Sequence, residues 1–183
     1  MSTPEGTRVP PASHDDLPPD AKAAHDGHAR VARITNMKRT LLHSVPAFEA
    51  LMTWYPLRDT VRPFLGERLT TLFAHAVSSE TDCLICSTFF RRLLVQSGED
   101  PDRLVLDDWE AAVVAFGRSL ATTPHVVPDA VYRPIAARLT REQIVALTAF
   151  GALMVATNVF NNALQVPLDE YLEPFRGAEA RHG

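Results

Sequence analysis

The large apolar residues of this chain recur at helical spacing and almost nowhere at the two-residue spacing of a strand. Leu69, Leu72, Phe73 and Ala76 fall at i, i+3, i+4 and i+7, which puts them on one face of a helix. β-branched alternation never lasts for a strand's length, so the chain can bury its apolar groups only by packing helix on helix. The predicted fold class is all-α.

Helix boundaries are legible in places. Ser44 before Pro46 predicts a helix to about Trp54, because proline is tolerated in a first turn. Pro56 and Pro63 are expected to punctuate the next segment. The stripe from Glu67 to Val77 is a further helix. Ser79 and Asp82 resemble a capping box for a helix that runs to about Gln96 and stops before Gly98. Asp107 can cap a helix through Leu120, and Pro124 and Pro128 close that segment. Thr140-Arg141-Glu142-Gln143 is a Thr-x-x-Gln capping box that opens a long apolar helix to about Val155. A short helix is expected over residues 169–175. Residues 1–20 hold five of the chain's 14 prolines and read as a flexible or draped arm. Residues 21–183 read as a single domain.

Composition narrows the function. At 183 residues, 46% hydrophobic and 22% charged, the chain is an ordinary globular one. Its net charge of −4 and lack of a Lys/Arg block argue against nucleic acid. The apolar run Ile144–Ala156 is interrupted by Thr148 and Gly151 and is shorter than the ~20 residues of a membrane span, so no membrane is expected. No charged-then-apolar leader opens the sequence, which points to the cytoplasm. There is no glycine-rich phosphate loop, Gly-x-Ser-x-Gly elbow or His-Glu-x-x-His helix, so nucleotide and standard hydrolase chemistry have no support.

The sharpest feature is Cys83-Leu84-Ile85-Cys86, the only two cysteines. At i and i+3 they share a helix face. A helix start near residues 79–82 would favour a thiolate through its unpaired N–H groups. A second thiol could then capture a sulfenic acid as a disulfide. The same residues, with Phe90 and Leu93, also form an apolar stripe suited to a plain core. A metal site lacks a second ligand pair; His25 and His28 fit a solvated helix face, and no metal or cofactor is expected. His75 lies off its helix's apolar stripe, where it could take a proton from a thiol or sit at the surface. Asn158, Asn161 and Asn162 are candidates to satisfy helix-end carbonyls or line an interface. A shift of 75 residues aligns Glu67 with Glu142, Leu72 with Leu147, Cys83 with Asn158 and Cys86 with Asn161, an echo that would fit a duplicated helical unit.

Gly66-Glu67-Arg68-Leu69, His75-Ala76-Val77 and Asp82-Cys83-Leu84-Ile85-Cys86, closing at Gly98, resemble the AhpD-like and carboxymuconolactone decarboxylase superfamily. His43-Ser44-Val45-Pro46 upstream, and residues 139–145 and 158–164 downstream, extend the resemblance over roughly residues 40–172. It implies an AhpD-like helical bundle with a duplicated helical unit, assembled as a homo-oligomer (dimer, trimer or hexamer). The cysteine pair leans toward the alkylhydroperoxidase branch. That implies Cys86 as the peroxide-reactive thiol and Cys83 as the resolving one, with a small organic hydroperoxide as substrate and a thiol reductant protein as partner. The family's relay Glu and His fall on Thr71 and Phe90, neither able to relay a proton. His75, one helical turn beyond Thr71, is the candidate substitute. The alternatives are a catalytically degenerate oligomeric scaffold or binding protein, and a decarboxylase-like acid–base enzyme.

Overall fold

The computed structural model describes residues 6–177. Among these residues there are nine α-helices, two short 3₁₀ turns and no strand. The helices are α1 (Pro19–Ala29), α2 (Asn36–Leu41), α3 (Val45–Met52), α4 (Trp54–Leu65), α5 (Glu67–Glu80), α6 (Leu84–Gln96), α7 (Asp108–Ala121), α8 (Asp129–Arg138) and α9 (Arg141–Leu164); 3₁₀ turns cover His14–Asp16 and Glu170–Phe175.

α5 lies at the centre, packed by α4, α6, α7 and α9. Nine of its fourteen residues are buried, far more than one apolar stripe requires, because neighbours cover it on every side. Phe73 stacks on Phe150 of α9 with ring centroids 5.8 Å apart. Phe116, Leu147, Met154 and Ile135 complete a core whose side chains are almost wholly enclosed, each worth roughly 1.5–3 kcal/mol relative to exposure. Gly151 permits the tightest approach: a Cβ there would stand 2.5 Å from Leu120 Cδ1 and 2.9 Å from Phe73 Cζ.

Both expected caps of the second half are present as full capping boxes, Asp107 with Glu110 and Thr140 with Gln143. Gly98, at φ 89°, ends α6 as expected. Other boundaries differ. The helix expected from Pro46 to about Trp54 stands as α3, ending at Met52, and α4 follows directly after Thr53. Pro56 and Pro63 both lie inside α4, the first in its opening turn, where its missing N–H goes unneeded, and the second in its closing turn. α9 continues to Leu164 rather than stopping near Val155. Nothing breaks it, since the Asn158, Asn161 and Asn162 side chains bond other elements instead of competing with their own backbone. By length and apolarity α9 is the one helix among the described residues that could cross a membrane; here Leu147, Phe150 and Met154 lie in the core.

The arm is draped where it is described. Ala12 and Leu17 are buried against Leu41, Leu42 and Phe48. The Arg8 amide bonds the Leu164 carbonyl at 3.1 Å, and the Ala12 amide bonds the Arg39 carbonyl at 3.3 Å. Residues 6–20 are therefore laid on the body, and the first five residues of the expected arm lie outside the described region.

Candidate active site

The two cysteines stand where one helix ends and the next begins. Asp82 takes the left-handed conformation at φ 49°. The Asp82 amide then bonds the Ser79 carbonyl, and the Cys83 amide bonds the Ser78 carbonyl, both at 3.1 Å. This is a Schellman stop to α5. The expected Ser79–Asp82 capping box does not form, because Ser79 is still inside α5. Cys83 is instead the N-cap of α6, and Cys86 is that helix's third residue.

Both sulfurs are buried thiols; Cys83 is 0% exposed and Cys86 8%. α9 secures them from the side. Asn158 Nδ2 donates to Thr81 Oγ1 at 2.7 Å and Asn162 Nδ2 to the Thr81 carbonyl at 2.9 Å, which satisfies a helix-end carbonyl of α5. Asn161 Nδ2 lies 3.3 Å from Cys86 Sγ, 3.8 Å from Cys83 Sγ and 3.4 Å from Met37 Sδ. The 75-residue echo thus has a spatial meaning for one pair, Cys86 and Asn161, which touch. The segments differ in that a turn separates α5 from α6 whereas α9 is unbroken.

The two thiols differ in acidity. The Cys86 S–H, donated to Cys83, is the main influence holding the Cys83 thiol below its ordinary value, against desolvation. The Cys86 amide, Asn161 and the Ile85 amide add to it, although no amide makes a cap hydrogen bond of full geometry to the Cys83 sulfur. Cys86 is pushed well above the thiol range by donating to Cys83, then by burial and by the Cys83 charge. Of the two thiols, Cys83, the N-cap, where α6's free N–H groups are, is therefore the more acidic.

Access favours the other sulfur. Cys86, not Cys83, is on the wall of a cavity of about 100 Å³. Trp54, Phe89, Phe90, Met37 and Met154 make most of that wall apolar. Trp54 Nε1 donates to Met154 Sδ at 2.7 Å, and its ring meets those of Phe90 and Phe150 at 6.3 and 5.7 Å. One end is polar: Lys38, Tyr55, Asp169 and Tyr171 also line the cavity. Lys38 is 4% exposed; its Nζ donates to the Arg33 carbonyl at 2.6 Å and to Tyr55 Oη at 2.8 Å. Burial lowers its pKa to about 8, opposed by the Asp169 charge.

His75 does not join this group. It makes no hydrogen bond to either sulfur and is not on the cavity wall. Its charged neighbours are Arg91, Arg118 and Asp102, and burial first, then the two arginines, drop its pKa to about 4. His28 is also not on a solvated face: its ring packs edge-on against Phe48 and Tyr55 at 5.5 and 5.3 Å. His25 and His14 both bond Asp26 Oδ1, at 2.8 and 3.0 Å. These three side chains bring potential ligand atoms within 4.8 Å of one another at the surface, away from the cavity.

No protein-family model matches the sequence, and no curated protein matches it. Solved structures do. The debrominase Bmp8 superposes with a TM-score of 0.74 at 16% identity, over 91% of this chain and 95% of its own. An AhpD-core, uncharacterised peroxidase-related protein from Ralstonia eutropha JMP134 gives 0.72 at 17% identity, over 91% and 94%. An uncharacterised peroxidase-related protein from Silicibacter sp. TM1040 gives 0.67 at 14% identity, over 94% and 96%. The fold is AhpD-like.

Thr71 and Phe90, where the sequence resemblance would put a relay Glu and His, carry no group that takes up a proton. Thr71 is buried and donates its hydroxyl to the Glu67 carbonyl at 2.9 Å. Phe90 is cavity wall. Besides Cys86, the groups on that wall able to move a proton are Lys38, Tyr55, Asp169 and Tyr171, none of which the sequence pattern singles out. They come from α2, α4 and the segment after α9, up to 133 residues apart (171 − 38). No local motif links them, so only the packing of these elements reveals them.

Proposed function

We propose that this chain is a dithiol oxidoreductase that reduces a small apolar hydroperoxide bound against Cys86. The observation that carries the reading is a cavity-facing Cys86 beside a second, more acidic thiol, Cys83, with Asn161 Nδ2 at 3.3 Å from the first sulfur and 3.8 Å from the second. With Thr71 and Phe90 unable to help, Cys83 is the base. As Cys86 Sγ attacks the terminal peroxide oxygen, its proton passes to Cys83, the O–O bond breaks and an alkoxide leaves. The alkoxide takes a proton to become the alcohol, and Cys86 is left as a sulfenic acid. The Cys83 thiol then attacks that sulfur, forming the disulfide and releasing water. Two thiols of an external reductant protein restore the pair. No cofactor or metal enters these steps.

The test is peroxide consumption with cumene hydroperoxide and a dithiol reductant, combined with trapping of sulfenic acid. Cys86→Ser is expected to remove turnover. Cys83→Ser is expected to slow formation of the sulfenic acid itself, because the base is lost as well as the resolving thiol. Phe90→His should raise the rate, since general-base help is worth about 10²- to 10⁴-fold. Turnover by Cys86→Ser at the parent rate would sink the proposal and leave the scaffold reading.

The aromatic wall around Cys86 favours one second reading. Bmp8 is a debrominase, and a cysteine-to-alanine variant of it, bound to 2,3,4-tribromopyrrole, superposes on this chain with a TM-score of 0.76 at 15% identity. The same two thiols can supply two electrons to a brominated ring, giving the debrominated ring, bromide, a proton and the disulfide. Bromide release from a bromopyrrole without peroxide consumption would select that reading.

A further inference from the structure

The polar end of the cavity has an unmet demand. Lys38 carries three N–H donors, and two are committed, to the Arg33 carbonyl and to Tyr55 Oη. Asp169 Oδ1 accepts from the Asn36 amide at 2.9 Å. Asp169 Oδ2 is buried without a partner. The two groups feel each other's charge, and Asp169 feels those of Arg39 and Arg33 more strongly, but Lys38 and Asp169 form no ion pair. One donor and one acceptor, of opposite charge, thus belong to residues that line the same cavity as Cys86. A buried carboxylate oxygen without a partner is costly.

Ligand chemistry can be read from this pair. A carboxylate would be attracted by Lys38 but would face the unpartnered oxygen of Asp169. An ammonium would suit Asp169 but meet Lys38. A neutral O–H group satisfies both, accepting from the third N–H of Lys38 and donating to Asp169 Oδ2. Its apolar body would rest on Trp54, Phe89 and Phe90. The volume, about 100 Å³, is on the scale of cavities that hold one small ring.

We propose that the cavity selects small, uncharged apolar molecules bearing one hydroxyl-type O–H, bridged between Lys38 Nζ and Asp169 Oδ2. This deepens the reading above, because a hydroperoxide carries such an O–H and so does the alcohol left after its reduction. It does not depend on the thiols reacting.

The experiment is calorimetric titration of the reduced, full-length protein with phenol, toluene and benzoate. Phenol and toluene have nearly the same shape, and water favours phenol, so a bare apolar cavity would prefer toluene. Phenol is expected to bind at least about 10-fold more tightly than toluene, the scale of a hydrogen bond to a charged group, and benzoate not measurably. Asp169→Asn, which keeps the side chain's shape and presents an N–H₂ group in place of one carboxylate oxygen, should erase the preference for phenol while leaving toluene binding unchanged. Lys38→Met should do the same if it folds. Equal or tighter binding of toluene by the parent protein, a preference that survives Asp169→Asn, or no binding of either ring overturns the proposal. Because no turnover is read, these results are independent of the peroxide assays. Failure of the thiol chemistry leaves the binding preference standing, and the reverse also holds.

Discussion

Replacing His75 by Gln should flatten the acid limb of the stability profile. His75 is packed between α5 and the arginines of α6 and α7, and desolvation first, then Arg91 and Arg118, lower its pKa from 6.5 to about 4. Between those two values the unfolded chain binds a proton that the folded chain refuses, so stability falls as pH falls through this window and is fully present above it. At 1.36 kcal/mol per unit the whole shift corresponds to about 3 kcal/mol, of which about 2 kcal/mol is lost between pH 7 and pH 4.5. His28, whose pKa is likewise lowered to about 4, and the displaced carboxylates other than Asp102, which feels the His75 charge, titrate in parent and variant alike and cancel in the difference. The assay is urea unfolding at pH 7 and at pH 4.5 for both proteins. The parent should lose about 2 kcal/mol more than His75→Gln on acidification. Equal losses would mean that His75 titrates as a solvated imidazole rather than a packed one. An NMR titration placing its own pKa near 6.5 would say the same. The variant should keep the parent's thiol reactivity, because no hydrogen bond links this ring to either sulfur.

Gly151→Ala should destabilise the core by about 1–2 kcal/mol, an overpacking cost reduced by a helix-propensity gain of ~1 kcal/mol; a variant as stable as the parent in urea would show that Leu120 simply moves aside. Asp82→Gly should stabilise by about 0.5–1 kcal/mol by relieving a left-handed residue, seen as a melting temperature about 2 °C higher. The expected self-association rests on α9, where Val145 and Val159 are 69% and 58% exposed on a strip shared with the exposed Ala152, Ala156 and Ala163. Sedimentation velocity should give a species heavier than the 20.2 kDa chain, and a monomer at micromolar concentration would refute it.

The legible part of the sequence is local. The stripe Leu69–Ala76, the Asp107 and Thr140 boxes and the Gly98 stop are each decided within one or two helical turns, and each stands where the pattern puts it. The start of α6 escapes the pattern because Ser-x-x-Asp signals a cap only if α5 ends before Ser79, and it does not. The cap falls to a cysteine, a residue not ordinarily counted as one. The end of α9 escapes it because three asparagines look like a helix terminus, whereas tertiary partners on the 81–83 turn and on the sulfurs occupy them. The cysteine pair is visible from spacing alone, but its order of acidity depends on which sulfur caps the helix and which faces the cavity. Lys38 and Asp169 cannot be found that way, since each is an ordinary charge until α2 and the segment after α9 are brought together.

Asn161 has two amide hydrogens and three sulfur neighbours, and its Oδ1 is tethered to nothing. Supply is one short of demand. When negative charge settles on either cysteine, the amide is drawn to it and loosens its hold on Met37, which belongs to α2 and to the cavity wall. Were the two sulfurs to join in the proposed disulfide, the amide would be released toward the thioether. Under the proposed dithiol chemistry, the scarcity of a single donor group would tie the oxidation state of the pair to Met37 on the cavity wall, and the ¹⁵N side-chain resonance of Asn161 would report it.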